Sequence, residues 1–335
     1  MIKAGMAGFG KMGRIRAAEI AKNRQITLAA VYDIDKNILP ADVHICDDFD
    51  CLLEQDIDSV FICTYNNVTA EYTKKALLAG KHVFCEKPPA TTYSELKEVE
   101  EVAKSSGLVL KYGFNHRFHY SVIKAKEIID SGSYGRILWM RGVYGKAGSI
   151  DYDKNWRNYR KYSGGGILID QGIHMLDLML HFAGEPFTKI NSFVTSLYWK
   201  VEAEDNAFAI MQTDKSVTAM LHSSATQWRH KFLLEICLED GFVNLDGILS
   251  ATRSYAPEKL VTGRREFEDV TFAMGKPKEE TTWFEYDDSW KLELEDFISA
   301  VAEGAPLKHG SIDEALGVME LVDRIYRNSG VCDAH

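Results

Sequence analysis

The run Gly8-Phe9-Gly10-Lys11-Met12-Gly13 constrains this chain more than any other stretch. It follows directly on an apolar, strand-like segment, Ile2–Ala7, and opens a stretch with helical spacing, Arg14–Asn23. Glycine is required where a strand turns tightly into a helix and where backbone must approach a pyrophosphate. The helix N-terminus then offers unpaired N–H groups and the positive end of its dipole. Asp33 stands twenty residues past Gly13, at the end of the second apolar run. A carboxylate there accepts hydrogen bonds from a ribose 2′-hydroxyl and repels a 2′-phosphate. The pattern predicts a dinucleotide cofactor, NAD in preference to NADP, with Lys36 nearby softening the preference. Its expected contacts are Gly8, Phe9, Gly10, Lys11, Met12 and Asp33.

Residues 1–118 continue as they begin, apolar runs alternating with helical patterns. Strands are predicted near Ile2–Ala7, Thr27–Tyr32, Ser59–Thr64, His82–Cys85 and Leu108–Gly113, and helices over Arg14–Asn23, Thr69–Ala79 and Tyr93–Ser106, with Gly80 and Gly107 as C-terminal stops. This is the signature of βαβ units and a parallel, doubly wound sheet. After Tyr120 the pattern changes. A helix (Val122–Ser131) precedes alternating segments at Ile137–Lys146, Ala207–Thr213, Val217–Ser224, Phe232–Leu238 and Phe242–Leu245, while only Leu168–Ala183 and the turns after Leu292 read as helical. Alternation implies an antiparallel sheet with one face covered. The predicted fold is therefore α/β: a Rossmann-type dinucleotide-binding domain (1–118), then an α+β domain (119–335) that binds substrate. The second domain carries a large, mostly antiparallel open sheet whose free face serves self-association.

Two domains are also what the length asks for, since 335 residues exceed the size at which one core stops growing. The net charge of −10 would repel phosphate backbones and anionic membranes, so neither nucleic acid nor membrane is an expected partner. Six cysteines, at 46, 51, 63, 85, 237 and 332, form no C-x-x-C pair and read as buried thiols of a reducing compartment. With no basic segment leading a long apolar stretch at the start, the expected location is the cytoplasm.

A second motif ends the fourth strand-like run: His82-Val83-Phe84-Cys85-Glu86-Lys87-Pro88 stops a buried strand with a charged pair and a proline. Strands of open α/β sheets end where ligands bind, which makes Lys87 a candidate for chemistry. A third is Gly164-Gly165-Gly166-Ile167-Leu168-Ile169-Asp170-Gln171-Gly172-Ile173-His174-Met175-Leu176-Asp177. Asp170 and His174, four apart at the start of an apolar helical run, lie on one helical face about one turn apart. The carboxylate can hold the imidazole in one tautomer.

With these three motifs in this order, the chain resembles the glucose-fructose oxidoreductase / inositol dehydrogenase / MocA family over essentially its whole length. The resemblance implies a nicotinamide-dependent dehydrogenase acting on a CH–OH group or carbonyl of a sugar, nucleotide-linked sugar or cyclitol, assembled as a dimer or tetramer through the C-terminal sheet. It implies that Lys87 is the lysine of the Glu-Lys-Pro motif, that Glu86 lies near the nicotinamide ribose, and that Asp170 and His174 are the Asp-x-x-x-His pair of the substrate domain. One departure follows the third core strand. Where the family often reads Thr-Pro-Asn-x-x-His, this chain has Thr64-Tyr65-Asn66-Asn67-Val68-Thr69. Thr64, Asn66 and Asn115 complete the expected cofactor contacts.

Moving hydride from a secondary alcohol requires a proton to leave the same oxygen, so a general base and a cation near that oxygen are needed. In one reading neutral His174 takes the proton and the Lys87 ammonium stabilises the negative charge. In the other Lys87 is itself the base, its pKa lowered by burial or a neighbouring cation. The sequence leaves both open. Expected substrate contacts are Lys87, Asp170, His174, Asn115 and Arg117, with Trp156 and Arg157 from a loop, Asp151 to Ser163, rich in aromatic and basic side chains that suit sugar faces and phosphate oxygens. Two other readings compete: reduction of a non-sugar carbonyl or imine, and a non-catalytic NAD-sensing protein of the same fold. A metal at His174, Asp177 and His181 is arithmetically possible, but the hydride reading already uses the first of these, and no metal is expected.

Overall fold

The computed structural model describes residues 1–148, 151–266 and 278–331, so Cys332 lies outside the described residues. The chain forms two compact units: one of residues 1–115, 161–164 and 290–320, the other of 116–160, 165–289 and 321–335. The first unit thus takes in a C-terminal stretch, 290–320, besides residues 1–115. The reason is apolar burial. Leu294, Phe297 and Ile298 join Met6, Phe61 and Phe84 in one core, and Phe297 stands edge-on to both Phe61 (5.5 Å) and Phe84 (5.6 Å).

The first unit is built on a six-stranded parallel sheet in the order β3-β2-β1-β4-β5-β6. Its strands are β1 (Ile2–Ala7), β2 (Ile26–Tyr32), β3 (His44–Ile45), β4 (Ser59–Ile62), β5 (His82–Glu86) and β6 (Leu110–Gly113). The helices between them are α1 (Lys11–Lys22), α2 (Phe49–Glu54), α3 (Asn66–Leu78) and α4 (Tyr93–Ser106). All five expected strands form, and β4 is buried throughout, as a strand covered on both faces must be. α4 begins and ends where its sequence signals place it: Thr92 and Glu95 close a capping box, and Gly107 takes the left-handed C-terminal position (φ 65°). β3 and α2 were not anticipated, since two residues and six residues carry too little periodicity to be read.

The second unit opens with α5 (Tyr120–Asp130) and is built on an eight-stranded sheet in the order β14-β13-β12-β11-β7-β10-β9-β8. The strands are β7 (Ile137–Gly145), β8 (Phe187–Thr195), β9 (Asn206–Thr213), β10 (Thr218–Ser224), β11 (Lys231–Leu238), β12 (Gly241–Asp246), β13 (Glu258–Arg264) and β14 (Glu279–Phe284). Every pairing is antiparallel except β7 with β10. β8, β13 and β14 were not foreseen; β14, Glu-Glu-Thr-Thr-Trp-Phe, has no buried face to produce alternation. After the short α6 (Arg160–Ser163), a π-helical turn, Leu168–Gly172, leads into α7 (Ile173–Ala183), whose Met175 and Met179 pack over Gly142 of β7. The sheet's other face leaves Trp139, Phe193, Phe208, Ile210 and Met220 exposed, with Phe193 opposite Phe208 and Ile210 opposite Met220 across strands. The chain closes with α8 (Ser289–Glu303) and α9 (Ile312–Asn328). Among the described residues no helix is long and apolar enough to cross a membrane.

Buried Glu258 ties the start of α5 to β13, accepting from His119 Nδ1 (2.9 Å), Ser121 N (3.2 Å) and Leu249 N (2.8 Å). Burial works against its charge, but His119 outweighs it and the pKa falls below its ordinary 4.5. A depressed carboxyl contributes stability that is present above the ordinary pKa and lost as pH falls through the folded value. Glu258→Gln is therefore expected to cost about 1–3 kcal/mol at neutral pH. In urea titrations the gap to wild type should close as the pH is lowered below the ordinary carboxylate range.

Candidate active site

In the first unit the glycine loop makes a cradle that larger residues would fill. Gly8 has φ +89°, and a Cβ there would meet the Cys63 carbonyl oxygen at 2.4 Å; a Cβ on Gly13 would meet the Gly8 oxygen at 2.1 Å. Around Gly10 there is open space, so its backbone can be approached from outside. α1 starts at Lys11 with no side-chain cap, which leaves the first N–H groups of the helix, those of Lys11 and Met12 among them, for an external acceptor. A cavity of about 370 Å³ opens beside this loop, lined by Gly8, Gly10, Asp33, Thr64, Tyr65 and Asn67, with Tyr32, Ile34, Ile38, Val68 and Tyr72 as its apolar walls. Asp33 sits at the end of β2, and its carboxylate accepts from Phe9 N (2.6 Å) and Asp35 N (2.9 Å). Each oxygen keeps further acceptor capacity. One carboxylate thus pins the glycine turn and offers acceptors to ribose hydroxyls. Loop, helix start and cavity fit a dinucleotide.

Two of the expected cofactor residues, Asn66 and Glu86, make hydrogen bonds within the protein. Asn66 begins α3 and donates its amide to the Ser163 carbonyl (2.9 Å), while the next residue, Asn67, lines the cavity. Thr69, in the place of the family's histidine, donates to the Tyr65 carbonyl (3.0 Å) and so acts within the helix start. Glu86 is buried, and Arg16 Nε donates to it at 2.7 Å. Arg16 Nη2 also donates to Glu293 (2.6 Å), and its guanidinium lies over the rings of Phe84 (4.3 Å) and Trp290 (4.6 Å). Burial opposes the arginine's charge, but Glu293 and Glu86 outweigh it and its pKa is raised. The motif carboxylate is therefore held by a buried cation that spacing did not reveal. Lys87 follows at the end of β5, half-buried, joined to Pro88 by a cis bond. Asn115, last residue of this unit's first segment, is buried at the head of a 3₁₀ turn.

In the second unit His174 is buried in α7, and its ring stacks on His116 with centroids 3.9 Å apart and planes 18° from parallel. Two imidazolium rings at that separation would repel by about 4 kcal/mol at an effective dielectric of 20. The stack thus disfavours protonation of both rings at once. His116 Nε2 lies 3.1 Å from Tyr144 Oη. Burial pushes the Tyr144 phenol well up, and Tyr255, in edge-on contact with it at 5.2 Å, is also raised, first by burial and then by Asp170, so both remain protonated. Asp170 stands in the π-helical turn, whose wider i→i+5 bonding replaces the regular α-turn expected before His174; such turns recur at functional sites. Its carboxylate accepts from Lys146 Nζ (2.9 Å) and lies 3.3 Å from Arg157 Nε. The tautomer-holding role expected for Asp170 thus competes with two cations.

Arg117, expected at the substrate, is buried and forks onto Asp177 through Nε (2.9 Å) and Nη2 (2.7 Å). Its planar donors go into a buried ion pair, and Asp177 is a partner of Arg117. Arg157 lies over the Trp156 ring (4.4 Å) while reaching Asp170. The segment leading to α7 is fixed by Glu204, which accepts from Gly166 N (2.8 Å), Leu168 N (3.2 Å) and Tyr326 Oη (2.7 Å). A Cβ on Gly166 would lie 2.1 Å from the Glu204 oxygen, which explains that glycine. Sequence reasoning missed Arg16, His116, Tyr144, Lys146, Glu204 and Tyr255. His116 and Lys146 had a signal, one lying between Asn115 and Arg117 and the other ending the alternating segment Ile137–Lys146. Glu204 and Tyr255 had none.

Residues 2–114 match the family model described as the oxidoreductase family, NAD-binding Rossmann fold, and residues 122–244 match the GFO/IDH/MocA C-terminal domain. The chain is 30% identical over 198 residues to the uncharacterized oxidoreductase YrbE of Bacillus subtilis, covering 56% of this chain and 56% of that protein. It therefore spans little more than half the length of that relative. Myo-inositol 2-dehydrogenase of Thermotoga maritima is 24% identical over 317 residues, 91% of this chain and 90% of its own length. Levoglucosan dehydrogenase, solved in complex with NADH and L-sorbose, shares the fold with a TM-score of 0.86 at 21% identity, over 98% of this chain and 96% of that one.

Proposed function

Because this chain belongs to the GFO/IDH/MocA oxidoreductase family, we propose that it moves hydride between NAD(H) and a hydroxyl-bearing carbon of a sugar, nucleotide-linked sugar or cyclitol. The observation that carries the cofactor half is the glycine cradle with Asp33 at its edge. The substrate half rests on the relatives, which include a myo-inositol dehydrogenase and a levoglucosan dehydrogenase, and on a buried histidine, His174, stacked on His116.

Bound nicotinamide would supply the hydride acceptor. The chain's own residues supply the rest. Backbone N–H groups of Lys11 and Met12 would hold the pyrophosphate, and Asp33 would accept from the adenosine ribose. In the second unit His174 is the candidate base for the hydroxyl proton, with Asp170, Lys146 and Arg157 as candidates to orient substrate hydroxyls; in the first unit Lys87 is the candidate to stabilise charge on the reacting oxygen as an ammonium, or to take the proton itself. The exposed aromatic and aliphatic side chains of the second unit's open sheet support self-association through that face. The five described cysteines are free thiols, which suits a reducing compartment such as the cytoplasm.

Fluorescence titration should show NADH binding at least about tenfold tighter than NADPH, a difference of about 1.4 kcal/mol, because a 2′-phosphate would meet the Asp33 carboxylate. A clear NADPH preference would overturn that role. The substrate class is tested by assaying free sugars, inositols and nucleotide-linked sugars with NAD. Turnover of only non-sugar carbonyls or imines would replace this reading with the reductase alternative.

A further inference from the structure

At the edge of the first unit's sheet three soft donor side chains converge. His44 lies in β3, Cys46 directly follows it and Cys51 lies in α2, a His-x-Cys-x4-Cys spacing. One imidazole nitrogen and the two sulfurs all lie within 4.8 Å of one another. Read along the chain, these thiols belonged with the other cysteines as inert core. The fold separates them from that set, because Cys46 and Cys51 share a corner with an exposed histidine.

The backbone that presents these donors is held through its own N–H and carbonyl groups, while Cys51 Sγ also accepts from Gln55 Nε2 (3.8 Å). Cys46 N donates to the Val31 carbonyl (2.8 Å), which docks the end of β3 onto β2. Lys36 Nζ donates to the Cys46 carbonyl (2.6 Å) and the Asp47 carbonyl (3.1 Å), and Cys51 N donates to Asp48 Oδ1 (2.7 Å). A two-residue edge strand has little of its own to keep it in place, yet here both ends of the connection to α2 are fixed.

Two thiols and an imidazole select soft or borderline ions and disfavour magnesium and calcium, which take oxygen. Around tetrahedral zinc, with bonds of about 2.3 Å to sulfur and 2.0–2.1 Å to nitrogen, neighbouring ligand atoms stand about 3.4–3.8 Å apart. The present separations, all within 4.8 Å, exceed this by at most about one ångström. The exposed His44 ring can supply that movement by rotating about its side-chain bonds.

We propose that His44, Cys46 and Cys51 form a binding site for a thiophilic metal ion of the zinc class, which ties strand β3 to helix α2. On binding, each thiol releases its proton to solvent as its sulfur becomes a ligand, with no change of oxidation state. Three protein ligands leave a fourth position for water.

The test uses the reduced, metal-stripped full chain titrated with cobalt(II). The expected result is a thiolate-to-cobalt charge-transfer band that saturates at one ion per chain and is bleached by zinc. His44→Ala, at an exposed position where folding is not at risk, should weaken cobalt binding at least about tenfold, Cys51→Ser should abolish the band, and Cys237→Ser should change nothing. Absence of the band in the reduced protein, or an unchanged band in Cys51→Ser, would overturn the proposal. So would a mass loss of two hydrogens, lost with Cys51→Ser, in the protein isolated under reducing conditions, since a Cys46–Cys51 disulfide would then occupy the corner.

Discussion

Lys87→Ala is expected to lower kcat/KM by on the order of 10²–10⁴ on the substrate that the panel of sugars and cyclitols identifies, the range typical for removing a group that handles charge or a proton at the reacting oxygen. Binding of NADH should change far less. Lys87→Arg separates the two roles left open by the residue types. Arginine keeps the positive charge but does not deprotonate at accessible pH. If Lys87 acts as an ammonium, arginine should restore much of the rate and leave the pH profile unchanged. If it acts as the base, arginine should be as poor as alanine. A wild-type rate in Lys87→Ala would overturn the catalytic assignment of Lys87.

Arg16→Met is expected to destabilise the first unit by about 3–5 kcal/mol, because it leaves Glu86 and Glu293 buried without their cation. The site is poised for a large effect. Glu293 has its pKa raised, first by burial, with Glu86 adding and Arg16 and Lys111 opposing. Lys111, paired with Asp296 at 2.6 Å, has its own pKa lowered by burial despite these carboxylates. The two directions agree: the pocket is short of solvation for either sign, and desolvation outweighs pairing at both groups. The deficit of the variant should shrink as pH falls, since both orphaned carboxyls then take up protons and cease to be buried charges. The double variant Arg16→Met/Glu293→Gln should recover part of the loss. Urea midpoints followed by tryptophan fluorescence would measure all three, and an unchanged midpoint in Arg16→Met would show that the pair contributes nothing net.

Arg16 also shows where reading along the chain stops. It looks like an exposed basic residue on a helix, and the carboxylate that buries it lies 277 residues away. The motif residue Glu86 was legible as part of Glu-Lys-Pro, but its ion-pair partners were not. Arg117 shows the same limit from the other side. Its position after the last strand suggested a substrate contact, and only packing revealed that its fork is committed to Asp177, 60 residues on. Asn66 and Asn67 differ by one helical step, and which of them faces the cavity depended on where α3 begins.

What the sequence by itself determined is whatever depends on near neighbours: the strand–glycine loop–helix order, the carboxylate at the end of β2, the caps of α4, the alternation of the second sheet and the presence of Lys87, Asp170 and His174. These follow from backbone sterics and periodicity, which act over a few residues. Tertiary structure decided that a C-terminal helix completes the first core, that His116 stacks on His174, that Asp170 answers to Lys146 and Arg157, and that two cysteines meet a histidine at β3. Each of these depends on side chains or segments that the fold, and not the local pattern, brings together. Burial then fixes which charges must be paired, and no local pattern encodes that.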